Sequence, residues 1–191
     1  MPARAIRYSV VVGTSAYPAQ LERDVSLADG GRLHVRPIRP DDAARLQAFH
    51  GRLSRGSIFF RFFSHVPVLT DERAAYFTTI DYERRMALVG VEGAGGGELI
   101  VGVARYDLLD DGRAELGLIV EDRVQRRGVG KALFWALVAA ARERGVRTLV
   151  ADVLPENDRM LRLLVSTGLP IHRRRMRDYV EVNVDLSEPP A

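Results

Sequence analysis

The sequence predicts an α+β fold, built on a mixed and mostly antiparallel central sheet that is flanked by helices. Apolar residues alternate with a period of two in several short segments, which is typical of half-buried strands. Other segments carry apolar residues at the three- and four-residue spacing of amphipathic helices. The predicted order is a hairpin, three helices, three antiparallel strands, a helix, a strand, a helix and a final strand, which indicates an α+β domain.

The first half of the chain predicts a hairpin and then three helices. Residues 25–38 contain two alternating runs around an Asp-Gly-Gly turn. Pro40 and the two acids after it are typical of a first helical turn. Ser54 is the predicted cap of a second helix, and Thr70 begins a short third one. The apolar face of the second helix is predicted to contain Ile58, Phe59, Phe62 and Phe63.

Three antiparallel strands are predicted next, at residues 86–91, 98–108 and 113–120. The turn sequences between them, at 93–97 and 110–112, are rich in glycine and aspartate. Because no helix follows residues 93–97, we interpret this glycine run as a flexible hairpin tip and not as a phosphate-binding loop.

The last part of the chain predicts helices and strands in alternation. A helix is expected at 131–144, a strand at 148–153, a helix at 157–167 and a strand at 179–186. The arginines at 173–175 carry no aromatic residues between them, so we interpret them as a solvated stretch before the last strand and not as an RNA-binding surface.

The composition is that of a globular protein, with 47% hydrophobic and 28% charged residues in a chain of 191. One domain is expected over residues 25–187, after a partly ordered lead-in at 1–24 and before a tail at 188–191. The formal net charge of +3 suits an anionic ligand. It falls short of the basic surplus of nucleic-acid-binding proteins, so no nucleic-acid partner is expected.

Several classes of site and location are excluded by what the sequence lacks. Without cysteine there can be no disulfide, thiolate metal site or cysteine nucleophile. The four histidines have no metal-ligand spacing, so no metal is expected. No apolar run is long enough to span a bilayer, and no membrane partner is expected. The apolar run near the N-terminus is too short for a signal peptide, so a cytoplasmic location is expected by default.

The most informative segment is Gln-Arg-Arg-Gly-Val-Gly at residues 125–130, because a predicted strand precedes it and a long predicted helix follows it. The first amides of a helix have no partners within the helix and favour an anion. Gly128 and Gly130 allow a phosphate to approach, while Arg126, Arg127 and Lys131 add positive charge. The sequence therefore predicts an anion site, although a glycine-eased turn on a basic surface would share this pattern.

The spacing of these residues excludes two common phosphate loops. Lys131 is followed by alanine where a Walker loop needs serine or threonine, and the third glycine of a dinucleotide loop is missing. The pattern Q-x-x-G-x-G instead resembles the acyl-CoA signature of the GNAT N-acetyltransferase superfamily. Residues 154–160 and 36–42 are also similar to segments of that family. Residues 53–64, with Tyr17 and Pro18 upstream, resemble the bacterial protein lysine acetyltransferases of the Pat group.

The GNAT resemblance implies a three-layer α/β/α fold whose sheet is splayed at an acyl-CoA site. It implies that backbone groups of Leu118, Ile119 and Val120 meet the pantetheine arm, with an amide near Ile119 polarising the thioester carbonyl. Asn157 would also bond the pantetheine arm. The pyrophosphate would be held by Gln125, Arg126, Arg127, Gly128, Val129, Gly130 and Lys131.

Glu115 is the predicted general base, because an ammonium acceptor must lose a proton before its nitrogen can attack a thioester. Protein lysine acetyltransferases of this superfamily place a glutamate at a matching position. Period-two alternation puts Glu115 on one face with Gly117 and Ile119, which predicts space beside it. The alternative is an exposed glutamate paired with an arginine, and Glu83 and Asp81 are weaker candidates for the base.

The sequence also departs from the family pattern. Many members carry a tyrosine general acid at the position of Leu164.

We expect an acetyl-CoA-dependent N-acetyltransferase that acts on protein lysines in a ternary complex, as a monomer or homodimer. The alternatives left open are a small-molecule amine or N-terminal acetyltransferase and a non-catalytic acyl-CoA sensor.

Overall fold

A computed structural model describes residues 16–93 and 97–189 of the chain. Within these residues a single sheet has the strand order 1-2-3-4-5-6-8-7 and is antiparallel except between its fifth and sixth strands. The strands are β1 (Arg23–Ser26), β2 (Arg32–Pro37), β3 (Arg85–Glu92), β4 (Leu99–Leu108), β5 (Ala114–Val120), β6 (Thr148–Val153), β7 (Ile171–Arg175) and β8 (Val180–Asp185).

Helices cover both faces of this sheet. They are α1 (Ala43–Arg52), α2 (Arg55–Phe62), α3 (Asp71–Thr78), α4 (Val129–Glu143) and α5 (Asp158–Val165). A Cβ at Gly102 would meet Leu133 of α4, whereas the next residue, Val103, lines a cavity with Phe49 of α1. Because neighbouring strand residues face opposite sides, α4 and α1 lie on opposite faces. The predicted α/β/α layering and mixed sheet are confirmed.

The predicted N-terminal hairpin is present, with pairs running from Arg23↔Val35 to Ser26↔Arg32. Gly30 adopts the φ of 82° that its turn requires. Residues 16–22 of the predicted lead-in pack on the domain, since Leu21 is buried and the Tyr17 ring lies against another aromatic ring. Residues 1–15, 94–96 and 190–191 lie outside the described part, and with them most of the lead-in, the tip of the glycine run and half of the tail.

The predicted caps of α2 and α3 are confirmed, but the predicted apolar face of α2 is partly wrong. Ser54 Oγ accepts a hydrogen bond from the Ser57 amide at 3.1 Å, and Thr70 caps α3 in the same way. Ile58 is buried as expected, whereas Phe59 is 39% exposed. Phe63 ends the helix with a φ of 55°, so its ring leaves the helical face.

One strand was missed by the sequence prediction. Residues 173–175, predicted to be an unstructured solvated stretch, belong to β7, which pairs with β8 at the edge of the sheet. Their side chains are exposed, as predicted. An edge strand solvated on both faces has no apolar alternation, so its pairing with β8 leaves no signal in the sequence.

The core centres on α4 and the strands beneath it. This helix is apolar on several sides because it packs against β2, β3, β4 and β5. Its buried residues are Val129, Leu133, Phe134, Ala136, Leu137, Val138, Ala140 and Ala141. A helix held this firmly fixes the position of its own N-terminus, which lies at the end of β5.

Candidate functional site

β5 separates from β6 after only two residue pairs, Ala114↔Leu149 and Glu115↔Val150. On its other side β5 pairs with β4 along its whole length. In the part of the chain that the structure describes, residues 116–120 therefore have a sheet partner on the β4 side alone. The other edge presents backbone donors and acceptors that an extended ligand could pair with.

The backbone groups that face this gap are those of Leu118 and Val120. The Glu121 amide donates to the Val101 carbonyl at 2.8 Å, at the end of the β4–β5 ladder. Antiparallel alternation then directs the Ile119 amide toward β4 and the amides on either side of it toward the gap. Gln125 Nε2 donates to the Val120 carbonyl at 3.0 Å, in agreement with this direction. The backbone amide that could polarise a thioester carbonyl is therefore that of Leu118 or Val120, and not that of Ile119.

A tight loop joins the end of β5 to α4 and is shaped by its glycines. Gly128 is the N-cap of α4 with a φ of 93°, a left-handed conformation that costs glycine little. A Cβ at Gly130 would lie 3.0 Å from Leu163 Cδ1, so a larger residue would press on α5. These features leave the first amides of α4 facing the gap, as anion binding requires.

The gap opens into a cleft of about 560 Å³ between β5, α2, α4 and α5, within the range of small-molecule sites. Nine of the residues predicted for the site line it: Leu118, Ile119, Val120, Gln125, Arg126, Gly128, Gly130, Lys131 and Asn157. The sequence analysis missed eight others: Ser57, Phe60, Arg61, Arg159, Met160, Arg162, Leu163 and Ser166. Five of the lining side chains are basic and none is acidic, so the cleft suits an anion.

Two residues predicted for the pyrophosphate site lie outside this lining. Arg127 turns away from the cleft, and its Nε and Nη1 donate to Asp29 at 2.5 Å and Glu92 at 3.0 Å. The hydrogen bond from Arg127 lowers the pKa of Asp29. Val129 is buried in the core. Both residues hold the loop in place, Arg127 by tying it to the β1–β2 turn and Val129 by anchoring α4.

The basic side chains of the cleft come from three helices and the loop. Arg159 Nη1 of α5 donates to Gln125 Oε1, and Lys131 Nζ of α4 donates to the Ser166 carbonyl at 3.1 Å. Arg126 is exposed at the mouth with a φ of 65°. The α5 arginines gave no motif in the sequence, and their spacing of three residues on one helix face was the signal available for finding them.

Asn157 lies in the cleft as the N-cap of α5. Its Oδ1 accepts a hydrogen bond from the Met160 amide at 3.2 Å, so this oxygen is engaged in the cap. The Nδ2 group is the part of the side chain left to donate to a ligand. Four residues after Met160, Leu164 is fully buried, so the position where the family often has tyrosine is part of the core.

Glu115 is half-buried on the face of β5 that α2 covers, outside the lining of the cleft. The space predicted beside it, over Gly117, is filled by Arg61, because a Cβ at Gly117 would lie 2.1 Å from Arg61 Nη2. Burial and the charge of Arg105 lower the pKa of Arg61, against the opposing charges of Glu115 and Asp107. Arg61 therefore lies between the candidate base and the cleft.

The weaker base candidates, Asp81 and Glu83, lie at the turn before β3. Asp81 Oδ1 accepts hydrogen bonds from the amides of Glu83 and Arg85, each at 2.9 Å, and so shapes the turn before β3. The Glu83 carbonyl accepts a hydrogen bond from the Tyr106 hydroxyl at 3.1 Å. Neither lines the cleft.

Residues 16–93 and 97–189 contain no group of three or more histidine, cysteine, aspartate or glutamate side chains placed to hold a metal ion. Nor do they contain a helix that combines the length and the apolar character needed to cross a bilayer.

Comparisons with known proteins agree with this geometry. Residues 57–168 match the model of the acetyltransferase (GNAT) family. An acetyltransferase of Pseudomonas aeruginosa is 29% identical over 75% of this chain and 77% of its own length. The acetyltransferase Pat of Mycolicibacterium smegmatis is 30% identical over 75% of this chain, which spans only 43% of that longer protein.

Two solved structures have the same fold. The GNAT domain of S. lividans PAT superposes with a TM-score of 0.81 at 36% identity, covering 88% of this chain and 99% of that one. The Salmonella typhimurium protein yncA, solved with its cofactor acetyl-CoA, has a TM-score of 0.65 at 20% identity. The match covers 84% of this chain and 98% of that one. At that identity yncA shows the fold alone.

Proposed function

Because the chain belongs to the acetyltransferase (GNAT) family, we propose that it transfers acetyl groups from acetyl-CoA to primary amines, specifically to lysine side chains of proteins. The observation that carries this proposal is the basic cleft where β5 leaves β6, with a free strand edge and a helix N-terminus at one site. The strand edge suits the amide-rich pantetheine arm, and the helix N-terminus suits a pyrophosphate.

Each part of the cleft has a distinct role in this proposal. The backbone of Leu118 and Val120 pairs with pantetheine, and an amide of this edge stabilises the oxyanion that forms at the thioester carbonyl. Arg126, Lys131 and the first amides of α4 bind the pyrophosphate. Glu115 removes a proton from the attacking ammonium, through a water because its carboxylate is outside the cleft lining.

The lysine acceptor is supported by similarity to two proteins called Pat, from M. smegmatis and S. lividans. The proposed location of this reaction is the cytoplasm, where acetyl-CoA is made available to proteins.

The proposal is tested by incubating the chain with radiolabelled acetyl-CoA and a bacterial lysate, or with a panel of small amines. We expect label in lysate proteins, and mass spectrometry should place it on lysine. The double variant Arg126→Glu, Lys131→Glu should abolish labelling, because both side chains are exposed in the cleft and reversal of their charge repels the pyrophosphate. Arg177→Glu, an exposed reversal outside the cleft, is the matched control and should leave labelling unchanged.

The same experiment separates the alternative functions. Label confined to the small amines would overturn the protein acceptor and favour a small-molecule acetyltransferase. Label confined to protein N-termini would favour an N-terminal acetyltransferase. Binding of acetyl-CoA without transfer to any acceptor would favour a non-catalytic sensor.

A further inference from the structure

A second, smaller cavity lies directly behind the cleft, on the side of β5 that α1, α2 and α3 cover. It measures about 40 Å³, and most of its wall is apolar, with Leu46, Phe49 and Phe77 among the lining residues. Arg61 and Ile119 line both this cavity and the cleft. The two spaces therefore adjoin at the part of β5 where the thioester is proposed to lie.

Unpartnered polar atoms belong to two side chains of this apolar wall. The described residues have three buried side-chain nitrogens without a hydrogen-bond partner: His50 Nε2, Arg105 Nη2 and, outside this cavity, Arg36 Nε. His50 and Arg105 are the two that concern the cavity. Both residues line the cavity, and they are only 4% and 5% exposed. Since buried polar atoms are normally hydrogen-bonded, these two nitrogens are candidate donors to a ligand that carries acceptors.

The charges around the cavity indicate that the ligand is an anion. Arg85 Nε and Arg105 Nε share one carboxylate, that of Asp107, at 3.0 and 3.2 Å. Arg61 makes no ion pair within residues 16–93 and 97–189, and the carboxylates that act on it are those of Glu115 and, more weakly, Asp107. Within this group of five side chains, three guanidinium groups therefore share two carboxylates, an excess of one positive charge.

The histidine in the wall does not change this balance. Burial and the charge of Arg73 lower the pKa of His50, so its ring is neutral near pH 7. In the tautomer with the proton on Nε2, a neutral ring still donates a hydrogen bond. His50 and Arg105 can therefore donate to the same small anion while Arg61 supplies the charge.

We propose that this cavity binds the terminal carboxylate of a short dicarboxylic acyl group, so that the chain uses malonyl-CoA or a close homologue as an acyl donor. A buried water needs about 10–15 Å³ by this measure of volume, so the cavity has room for about three heavy atoms. A carboxylate has three. The inference rests on the proposed acyltransferase function and adds the acyl group that it selects.

The transfer step is the same as for an acetyl group. The acceptor nitrogen forms a bond to the thioester carbonyl carbon, the carbon–sulfur bond breaks, and the thiolate leaves with its electron pair and takes up a proton. The distal carboxylate stays intact in the cavity throughout. The product is an amide that carries a carboxylate in place of the positive charge of the acceptor.

Titration calorimetry with malonyl-CoA and isovaleryl-CoA tests this inference without an acceptor. The malonyl and isovaleryl groups have the same branched skeleton. The two carboxylate oxygens of the malonyl group take the places of the two methyl groups of the isovaleryl group. We expect the native chain to bind malonyl-CoA at least tenfold more tightly. Arg61→Met and Arg105→Met should reduce this ratio to about one, whereas Arg55→Met, on the exposed side of α2, should preserve it. Acetyl-CoA binding by Arg105→Met, at a residue outside the cleft lining, checks that the cleft is intact.

Each outcome decides between the two proposals. Isovaleryl-CoA binding as tightly as malonyl-CoA to the native chain would overturn the acyl-group inference, while acetyl-CoA binding would leave the acetyltransferase proposal standing. A malonyl preference that survives in both arginine variants would also overturn the inference, because another group would then recognise the carboxylate. If no CoA thioester binds, both proposals fail. A native chain without a malonyl preference overturns the inference even if a variant does not fold.

Discussion

Glu115 and Arg61 lie together under α2. The sequence indicates a role for Glu115 but does not indicate the position of Arg61. Glu115 was predicted as the base from its position at the start of β5, which is local information, and from the family resemblance. Arg61 comes from a helix more than fifty residues earlier, and it reaches Gly117 because α2 packs on β5. The sequence predicts an exposed arginine at such a position, since arginine is rarely buried.

Replacement of Glu115 by glutamine tests the predicted base. We expect acetyl-CoA to bind with unchanged affinity, because the carboxylate is outside the cleft lining. The transfer rate should fall by roughly 10²–10⁴, the usual contribution of a general base. The measurement is kcat with an identified acceptor, beside the dissociation constant of acetyl-CoA. Glu83→Gln is the companion variant, and a loss of rate there with none in Glu115→Gln would move the base to Glu83.

At the scale of elements, the glycine loop at residues 125–130 and α4 were predictable because their signals are local. Residues 125–131 combine glycines, basic side chains and a following apolar helix within a short stretch. The edge strand β7 was not predictable, because it depends on pairing with β8 and not on its own pattern. The separation of β5 from β6 followed from the family resemblance and not from the apolar pattern, which is strand-like in both segments.

Gly128→Ala tests the conformation of the loop. Its φ of 93° is unfavourable for any residue with a Cβ, although no atom would crowd that Cβ closer than 3.5 Å. We expect the free energy of unfolding in urea to fall by about 1–2 kcal/mol, with weaker acetyl-CoA binding. Gly51→Ala in α1 is the matched control, where alanine should be neutral or stabilising. Equal losses in the two variants would contradict a backbone origin of the effect.

For the whole molecule, a buried ion pair joins the first part of the sheet to the helices. Arg36 of β2 donates two hydrogen bonds to Asp42, at 2.7 and 2.8 Å, and both side chains are at most 1% exposed. Glu98, next to β4, accepts a third at 3.1 Å. Although burial opposes its ionisation, the hydrogen bond and charge of Arg36 hold the pKa of Asp42 below its ordinary value. No pattern in the sequence predicts that these residues form an ion pair.

This pair gives the fold a defined acid sensitivity. Because the folded pKa of Asp42 is depressed, its contribution to stability is complete above the unfolded pKa of about 4 and is lost as pH falls through the folded pKa. We expect Asp42→Asn to lower the free energy of unfolding at pH 7 by about 3–5 kcal/mol. The difference in the free energy of unfolding between this variant and the native chain should become smaller below about pH 4. The measurement is urea unfolding from pH 7 to 3, and a constant difference in free energy over this range would contradict the assignment. The control is Asp24→Asn, in an exposed ion pair, which should change the free energy of unfolding little.

The uniform charge of the cleft predicts how binding responds to salt. The lining contains Arg126, Lys131, Arg159 and Arg162, with no acidic residue among those described. We expect the dissociation constant of acetyl-CoA to rise about tenfold between 0.05 and 0.5 M KCl, because ions screen exposed charges. Acetyl-pantetheine, which lacks phosphates, should show almost no salt dependence in the same calorimetric titration. Equal salt dependence of the two ligands would exclude these side chains as the phosphate site.

The early parting of β5 from β6 also determines how individual backbone protons behave in solution. The Ile119 proton points into the β4 ladder and should exchange with deuterium slowly in every state. The protons of Leu118 and Val120 point into the gap and should exchange quickly until a ligand occupies it. Hydrogen exchange followed by NMR should therefore show acetyl-CoA slowing the exchange at positions 118 and 120 with little effect at 119. Such an alternation would mean that the bound molecule completes the sheet as an additional strand, while uniform slowing would point to a ligand that merely covers the cleft.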